Sequence, residues 1–185
     1  MSRIVVTEFM SLDGVMEEPR WTFQFERGED GDKFKIDELF GSAALLLGRV
    51  TYQGFAQAWP SMGGDDFGQR MNSIPKYVVS GTLADAEASW GPTTVLRGEV
   101  AAEVAALKAR PGGDLLVEGS SQLVQALARH GLVDEYRLMV FPILLGPGKR
   151  VFPDDLADPA KLTLVESRTA GDGVLILTLQ PAGKE

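Results

Sequence analysis

Short apolar stretches alternate with helix-forming segments along most of this 185-residue chain. Stretches rich in Val, Ile and Leu without polar alternation are typical of strands buried on both faces of a sheet. This pattern predicts an α/β fold, with a mainly parallel central sheet and helices on both faces. The predicted strands cover residues 4–9, 43–47, 77–79, 93–96, 115–117 and 136–141, and the predicted helices cover 34–40, 48–59, 65–73, 100–107 and 120–130.

The C-terminal part of the sequence departs from this alternation. Two β-type stretches, 162–165 and 174–179, flank the turn residues Gly171-Asp172-Gly173, which predicts an antiparallel C-terminal hairpin. A chain of this length buries about 70% of its unfolded surface, enough for one sizeable core. Because no repeat or linker divides the sequence, we expect a single domain over residues 1–185.

Composition excludes several kinds of chemistry. The chain has no cysteine and one histidine, so thiolate nucleophiles, Cys-ligated zinc and sites with two imidazoles are excluded and we expect no metal site. The net charge of −8 argues against a nucleic-acid partner. The apolar stretches are too short to span a membrane, and Glu8 and Asp13 interrupt any N-terminal signal sequence. We therefore expect a cytoplasmic protein that binds a small molecule.

One candidate ligand site follows the strand at 115–117. In open parallel sheets, ligands bind beyond the carboxyl ends of the strands. Gly119, Ser120 and Ser121 lie at such an end and open a helix, where unpaired amides, hydroxyls and the helix dipole favour an anion. The alternative is a well-capped helix that binds nothing. A motif this short has a high false-positive risk, so on its own it favours this alternative.

A second candidate turn comprises Gly48, Arg49 and Thr51, where a guanidinium and a hydroxyl lie at the start of another helix. Arginine binds phosphate bidentately, although a surface arginine paired with an acid is the common alternative. Two anion-competent turns in one sheet indicate a dinucleotide. Ser80 follows the next strand and either adds a hydroxyl or is an ordinary turn former.

Residues 17–32 form a predicted loop with an unusual aromatic content. Trp21, Phe23 and Phe25 predict a stacking surface that covers a ligand, and the alternative is that Trp21 only anchors the loop. Asp30 and Asp32, taken alone, are typical of solvated acids at the start of a helix.

Six short motifs occur in an order that is more specific than any one of them. The motifs are Ser-Leu-Asp-Gly at 11–14, Leu-Gly-Arg-Val-Thr-Tyr at 47–52, Pro-Lys-Tyr-Val-Val-Ser at 75–80, Gly-Ser at 119–120, Gly-Leu-Val-Asp-Glu at 131–135 and Pro-Ile-Leu-Leu-Gly-Pro-Gly-Lys at 142–149. Together they resemble the dihydrofolate-reductase-like family, most closely the C-terminal reductase domain of the bifunctional riboflavin-biosynthesis deaminase-reductase, from about residue 3 to 180.

The resemblance implies an NADPH-dependent reductase, usually a homodimer, that transfers a hydride to a small heterocycle, as 5-amino-6-(5-phosphoribosylamino)uracil reductase does. A nucleotide-binding module without turnover and a true dihydrofolate reductase are the alternatives. The resemblance also implies catalytic roles for Asp13 and Glu118, and a substrate contact from a first-helix acid, Asp32 or Asp30. Trp21 is a further predicted substrate contact, on the ground of the aromatic loop alone. The cofactor residues that it implies are Gly48, Arg49, Thr51 and Ser80 near the adenosine phosphate, and Gly119, Ser120, Ser121, Gln122 and Leu123 at the pyrophosphate.

Overall fold

One eight-stranded sheet forms the centre of the molecule. A computed structural model describes residues 1–156 and 158–183. The strands are β1 Ile4–Ser11, β2 Ser42–Gly48, β3 Lys76–Val79, β4 Thr93–Leu96, β5 Asp114–Glu118, β6 Glu135–Phe141, β7 Leu162–Ala170 and β8 Val174–Pro181. Their order in the sheet is β4-β3-β2-β5-β1-β6-β8-β7. The first six strands of this order run parallel, whereas β8 is antiparallel to both β6 and β7.

Five α-helices cover the two faces of this sheet. They are α1 Gly28–Gly41, α2 Arg49–Ala58, α3 Asp66–Ser73, α4 Val100–Lys108 and α5 Ser121–Arg129. One core cluster joins α4 and α5 to alternate residues of β1 such as Val6, and another joins α1, α2 and α3 to the opposite face through Val5. The predicted fold, a mainly parallel sheet with helices on both faces and an antiparallel C-terminal hairpin, is confirmed.

The order of the strands creates a switch in direction between β2 and β5. The chain leaves β2 through α2 toward β3, on the outer side, whereas it leaves β5 through α5 toward β6, on the other side of β1. The two helices therefore begin at neighbouring strand ends but pack on opposite faces. Such a switch point opens a crevice beyond the carboxyl ends of the strands, which is where ligands bind in sheets of this kind.

The first helix differs most from the sequence prediction. Residues 17–32 were expected to be a loop, but a short 3-10 helix covers Pro19–Gln24 and α1 already begins at Gly28. The sequence does not predict the early start of α1 because this helix turns Lys35 and the buried Glu38 toward the sheet. Its inward face therefore lacks the apolar pattern by which a helix is recognised.

Candidate cofactor and substrate site

The two predicted anion-binding turns lie side by side at the switch point. The backbone N–H of Gly48 donates a hydrogen bond of 2.9 Å to Ser120 Oγ, which joins the end of β2 to the end of β5. A Cβ atom on Gly119 would lie 3.0 Å from Thr51 Cγ2, so the second turn also contacts the first turn of α2. The structure thus brings Gly48 and Thr51 together with Gly119 and Ser120.

The backbone of the Gly119–Ser120 turn is unusual. Both residues have positive φ, +59° and +62°, and serine rarely adopts this conformation. Ser120 stands at the N-cap position of α5, yet its hydroxyl contacts Gly48 and makes no capping hydrogen bond to the helix. α5 is therefore not the well-capped helix of the alternative interpretation. Its cap residue leaves the first backbone amides of the helix available to a ligand.

The other two cofactor candidates on α5 differ in exposure. Gln122 is exposed at the first turn, whereas the Leu123 side chain is buried in the core beneath α5. Leu123 can therefore contribute only its backbone amide to a ligand, while Ser121 and Gln122 can also contribute side chains.

Arg49 begins α2 with an exposed guanidinium. Its Nη1 donates to Gln53 Oε1 at 3.1 Å, and Gln53 Nε2 in turn donates to Glu87 Oε1 at 3.4 Å. Within residues 1–156 and 158–183, Arg49 forms no ion pair, which is unlike the alternative of a surface arginine paired with an acid. The group has donors to spare for an anion.

Ser80 follows β3, on the other side of β2 from β5. Its Oγ accepts hydrogen bonds from the backbone N–H groups of Thr82 at 3.1 Å and Leu83 at 3.0 Å. The oxygen therefore shapes the turn, in line with the turn-former interpretation. Within the hydroxyl group, the hydrogen is left for contact with a ligand.

Asp13 holds two loops together. Its carboxylate accepts hydrogen bonds from Ser11 Oγ at 2.6 Å and from the backbone N–H groups of Gly146 at 2.7 Å and Leu145 at 3.1 Å. The hydrogen bond from Ser11, together with those from Gly146 and Leu145, lowers the pKa of Asp13 to about 2. An acid this strong stays ionised, which favours a positioning role for Asp13 over proton donation.

Glu118 ends β5 and contacts a lysine from α1. Lys35 Nζ lies 3.0 Å from Glu118 Oε1 and 2.9 Å from Glu38 Oε2, and it also donates to Thr7 Oγ1 at 3.0 Å. The Thr7 hydroxyl donates to Glu38 at 2.9 Å. We call Lys35, Glu38, Glu118 and Thr7 the lysine cluster. It places a fixed cation beside the predicted catalytic acid.

Burial and the attraction between opposite charges act in opposite directions on the pKa values of Lys35 and Glu38. Burial raises the pKa of Glu38, although the positive charge and hydrogen bond of Lys35 oppose this change. For Lys35, burial acts to lower the pKa, but the charges of Glu38 and Glu118 outweigh it and raise the pKa. Lys35 is therefore charged at all physiological pH values, and it is the cation on which both carboxylates depend.

Three charged residues of this region did not stand out in the sequence. Lys35 and Glu38 lie one turn apart on α1, and Glu8 is buried within β1. The signal available for Glu8 was its position inside an otherwise apolar strand. For Lys35 and Glu38 no local signal existed, because their partners come from distant segments.

The predicted substrate residues Trp21 and Asp32 have other contacts. The Trp21 ring packs edge-on against Phe141 at 5.5 Å and its indole N–H donates to the Glu17 carbonyl, so it anchors the segment. Phe25 also packs on the Phe141 ring, whereas Phe23 is 86% exposed. Asp32 is exposed and forms an ion pair of 2.8 Å with Arg27. Substrate contact by Trp21 or Asp32 stays a prediction.

Two clefts lie away from the turns at the switch point. One, of about 440 Å³, is lined by residues such as Asn72 and Trp90, and the other, of about 400 Å³, lies beside α1 with Arg137 and Arg168 in its wall. In the part of the chain that the structure describes, no cluster of His, Asp and Glu side chains could hold a metal ion. No helix among these residues is long and apolar enough to cross a membrane.

Comparison with known proteins identifies the family. The family model of the RibD C-terminal domain matches residues 2–176, so this chain belongs to that reductase-like family, as the sequence motifs predicted. Among curated proteins, the uncharacterised YyaP of Bacillus subtilis is 29% identical over 181 residues, covering 94% of this chain and 92% of its own. YwjB of the same organism is 28% identical, covering 89% and 90%.

Solved structures share the fold. A putative riboflavin biosynthesis protein from Shewanella has a TM-score of 0.78 at 21% identity, and the match covers 97% of this chain and 98% of that one. RibD of Acinetobacter baumannii has a TM-score of 0.65 at 16% identity, covering 98% of this chain but 58% of the longer RibD. At these identities the likeness establishes the architecture and not the activity.

Proposed function

We propose that this protein is an NADPH-dependent reductase that transfers a hydride to a small heterocyclic substrate. The observation that carries the proposal is the pair of joined turns at the switch point. There the N-termini of α2 and α5 meet through the hydrogen bond between Gly48 and Ser120, beside the exposed guanidinium of Arg49. Membership of a reductase-like family supports the same conclusion.

The turns fit a dinucleotide for a steric reason as well as an electrostatic one. Because φ is +59° and any Cβ atom would lie only 3.0 Å from Thr51 Cγ2, position 119 accepts glycine and little else. This leaves the backbone bare at the first amides of α5, where a pyrophosphate would be held. Arg49, at the start of α2, would bind the phosphate that distinguishes NADPH from NADH.

When bound, the nicotinamide would supply the hydride, and the chain's own residues would bind and orient the two reactants. Glu118, fixed by Lys35, offers a charged acceptor for a hydroxyl or amino group of the substrate. Asp13 holds the 11–14 turn against the loop at 143–150 and so keeps the mouth of the site in shape.

The substrate class is inferred from relatives. A solved structure from Thermotoga maritima, that of a diaminohydroxyphosphoribosylaminopyrimidine deaminase/5-amino-6-(5-phosphoribosylamino)uracil reductase, shares the fold with a TM-score of 0.64 at 16% identity, and the match covers 57% of that chain. We propose a related nitrogen heterocycle as the hydride acceptor here. The predicted homodimer is part of the same proposal, and sedimentation equilibrium would test it.

The experiment separates binding from turnover. Calorimetry with NADPH and NADH comes first, followed by absorbance measurements of NADPH oxidation with the aminopyrimidine and with dihydrofolate as acceptors. We expect tighter binding of NADPH and turnover of the aminopyrimidine. Glu118→Gln should keep NADPH affinity while losing turnover, because the residue contacts substrate and not cofactor.

The outcomes also distinguish the alternatives. Binding of NADPH without oxidation by any acceptor would indicate a nucleotide-binding module. Turnover of dihydrofolate that methotrexate inhibits would indicate a dihydrofolate reductase. Absence of nucleotide binding would contradict the proposal as a whole.

A further inference from the structure

Glu8 is a buried acid that the proposed mechanism does not use. Thr7 pairs with Glu118 in the parallel register of β1 and β5, so Glu8 lies beside Gly119, one residue further along. Side chains alternate along a strand, and Glu8 therefore points to the face opposite Thr7, where α5 packs. Its carboxyl group thus lies on the α5 side of the sheet, next to the Gly119–Ser120 turn.

The carboxyl group of Glu8 is poorly compensated. The residue is only 6% exposed, and its Oε1 has no hydrogen-bond partner among the described residues. The charges that act on it come from the other face of β1, from Glu118 of β5 and from Lys35 and Glu38 of α1. The single cation of this set, Lys35, is already in contact with both other carboxylates at 2.9 and 3.0 Å.

The neighbouring charges determine whether the protonated or the ionised form of Glu8 is the stable one. Lys35 already pairs with Glu38 and Glu118 on the other face of β1, so a negative charge on the buried Glu8 would have no partner. Burial and the charge of Glu118 raise the pKa of Glu8 well above its usual range, and the Gly119 amide and Lys35 offset this only in part. Glu8 is therefore the group that keeps its proton as the pH rises.

We infer that Glu8 is an additional cofactor-binding residue, a neutral carboxyl group beside the Gly119–Ser120 turn whose proton is required for tight binding of a phosphate-bearing dinucleotide. The inference rests on the proposed function, because it concerns the same anion site. An ionised Glu8 would place a negative charge close to the pyrophosphate in a medium that screens charge weakly. A protonated Glu8 removes this repulsion, and the free Oε1 leaves room for a further hydrogen bond.

The consequence is a link between protonation and binding. Bound dinucleotide raises the pKa of Glu8 further, because it adds negative charge nearby. Affinity is then constant at pH values where Glu8 is protonated in the free protein. Above its pKa in the free protein, affinity falls by up to tenfold per pH unit, and up to one proton is taken up per molecule bound.

The test is calorimetry from pH 6 to pH 10, a range that brackets the pKa of about 8–9 documented for buried glutamates in other proteins. NADH is the main probe, because it lacks the 2′-phosphate, which itself titrates near pH 6 by analogy with other phosphate monoesters. The wild-type protein should lose affinity at high pH and take up a proton on binding. Glu8→Gln, which mimics the neutral carboxyl group, should bind NADH with an affinity that does not fall in this way.

Glu38→Gln is the matched control. It removes an acid from the lysine cluster on the other face of β1 and leaves the Glu8 carboxyl group in place, so affinity should still fall with rising pH. The fall should begin at a lower pH than in the wild type, because the charge of Glu38 contributes to the raised pKa of Glu8. Equal pH dependence in wild type and Glu8→Gln, or a wild-type affinity that is constant over the whole range, would overturn the inference.

Two further measurements do not depend on the variant folding or on turnover. Proton uptake can be followed with an indicator dye when NADH is mixed with wild-type protein in weak buffer at high pH, and its absence would contradict the inference. Infrared spectra at neutral pH should show the stretch of a protonated carboxyl group in the wild-type protein. Proton uptake on NADH binding without any hydride transfer would overturn the reductase proposal and support the role of Glu8. Hydride transfer without proton uptake on binding would support the reductase proposal and overturn the role of Glu8.

Discussion

Ser120 Oγ accepts a 2.9 Å hydrogen bond from the backbone N–H of Gly48, across the junction between β2 and β5. Ser120→Ala should lower the free energy of unfolding by about 1 kcal/mol, because the Gly48 amide loses its partner. Ser120→Gly should cost less than this. Glycine loses the same hydrogen bond but relieves the strain of a residue at φ +62°, which is worth about 1 kcal/mol.

Urea unfolding followed by circular dichroism measures both changes. Ser121→Ala is the matched control, because its hydroxyl is not part of the junction, and it should remain within about 0.5 kcal/mol of wild type. If Ser120→Gly were the more damaging of the two variants, the positive φ would not be a source of strain.

The fold was predictable because burial leaves a local pattern in most elements. The interiors of β2 and β5 are continuous apolar runs, β6 is apolar from Leu138 to Phe141, and α5 has an apolar stripe with Gly131 just beyond its C-terminus. The early start of α1 was not predictable, since its inward residues Lys35 and Glu38 are charged. Their inward position is intelligible only with Thr7 and Glu118 in place, and those lie far away in the sequence.

The site was predictable to the extent that it consists of strand-to-helix turns. Gly48 and Gly119 mark both turns in the sequence, but the hydrogen bond that joins them depends on the order β2-β5 in the sheet. The neighbourhood of Glu8 depends on the same order, because β5 inserts between β2 and β1. No pattern within one segment reports a contact of this kind.

Lys35 is the cation on which Glu38 and Glu118 depend. Lys35→Met should lower the free energy of unfolding by roughly 3 kcal/mol near neutral pH, the usual cost of leaving a buried carboxylate without its partner. Without Lys35 the pKa of Glu38, already raised by burial, rises further. Because the pKa of Glu38 is higher in the folded state, its contribution to stability is fully present below its unfolded-state pKa. This contribution is lost as the pH rises through its folded-state pKa.

The loss caused by Lys35→Met should therefore be smaller at pH 5 than at pH 8, and urea unfolding at both values checks this. Lys33→Met is the control on the same helix, since Lys33 pairs with Asp37 on the exposed face and such pairs contribute little. A loss independent of pH would mean that Lys35 stabilises the protein by packing alone.

Asp13 restrains the loop at 143–150 through two backbone amides. Asp13→Asn places an amide group, which can donate, against the N–H donors of Leu145 and Gly146, so the loop should loosen. Hydrogen exchange by NMR should show faster exchange at both amides in the variant. Because the pKa of Asp13 is lowered to about 2, wild-type protection should persist to low pH and be lost only as the pH approaches that value.

Glu17→Gln provides the comparison for Asp13→Asn. Glu17 accepts a hydrogen bond of 3.2 Å from the Lys149 amide and forms an ion pair of 3.3 Å with the Lys149 side chain. The amides of Leu145 and Gly146 donate to Asp13 instead, so Glu17→Gln should leave exchange at these two amides unchanged. Unaltered exchange at these two amides in Asp13→Asn would show that the loop is held by other contacts.

Arg49 should be the main determinant of the preference for NADPH over NADH. Its guanidinium is exposed at the start of α2 and is held by Gln53 rather than by an acid. Loss of a charged hydrogen-bond partner costs roughly 1.5–3 kcal/mol, so Arg49→Ala should weaken NADPH binding about 10- to 100-fold. NADH presents only a ribose hydroxyl at this position, and its affinity should change much less.

Dissociation constants for both cofactors, measured by calorimetry at low and high salt, test this role of Arg49. The wild-type preference for NADPH should fall as salt rises, because an exposed phosphate contact is screened, and in Arg49→Ala the remaining preference should be small at every salt concentration. Arg97→Ala is the control, since that arginine is also exposed but is paired with Asp85. If Arg49→Ala weakened both cofactors equally, Arg49 would be a structural residue and another group would bind the 2′-phosphate.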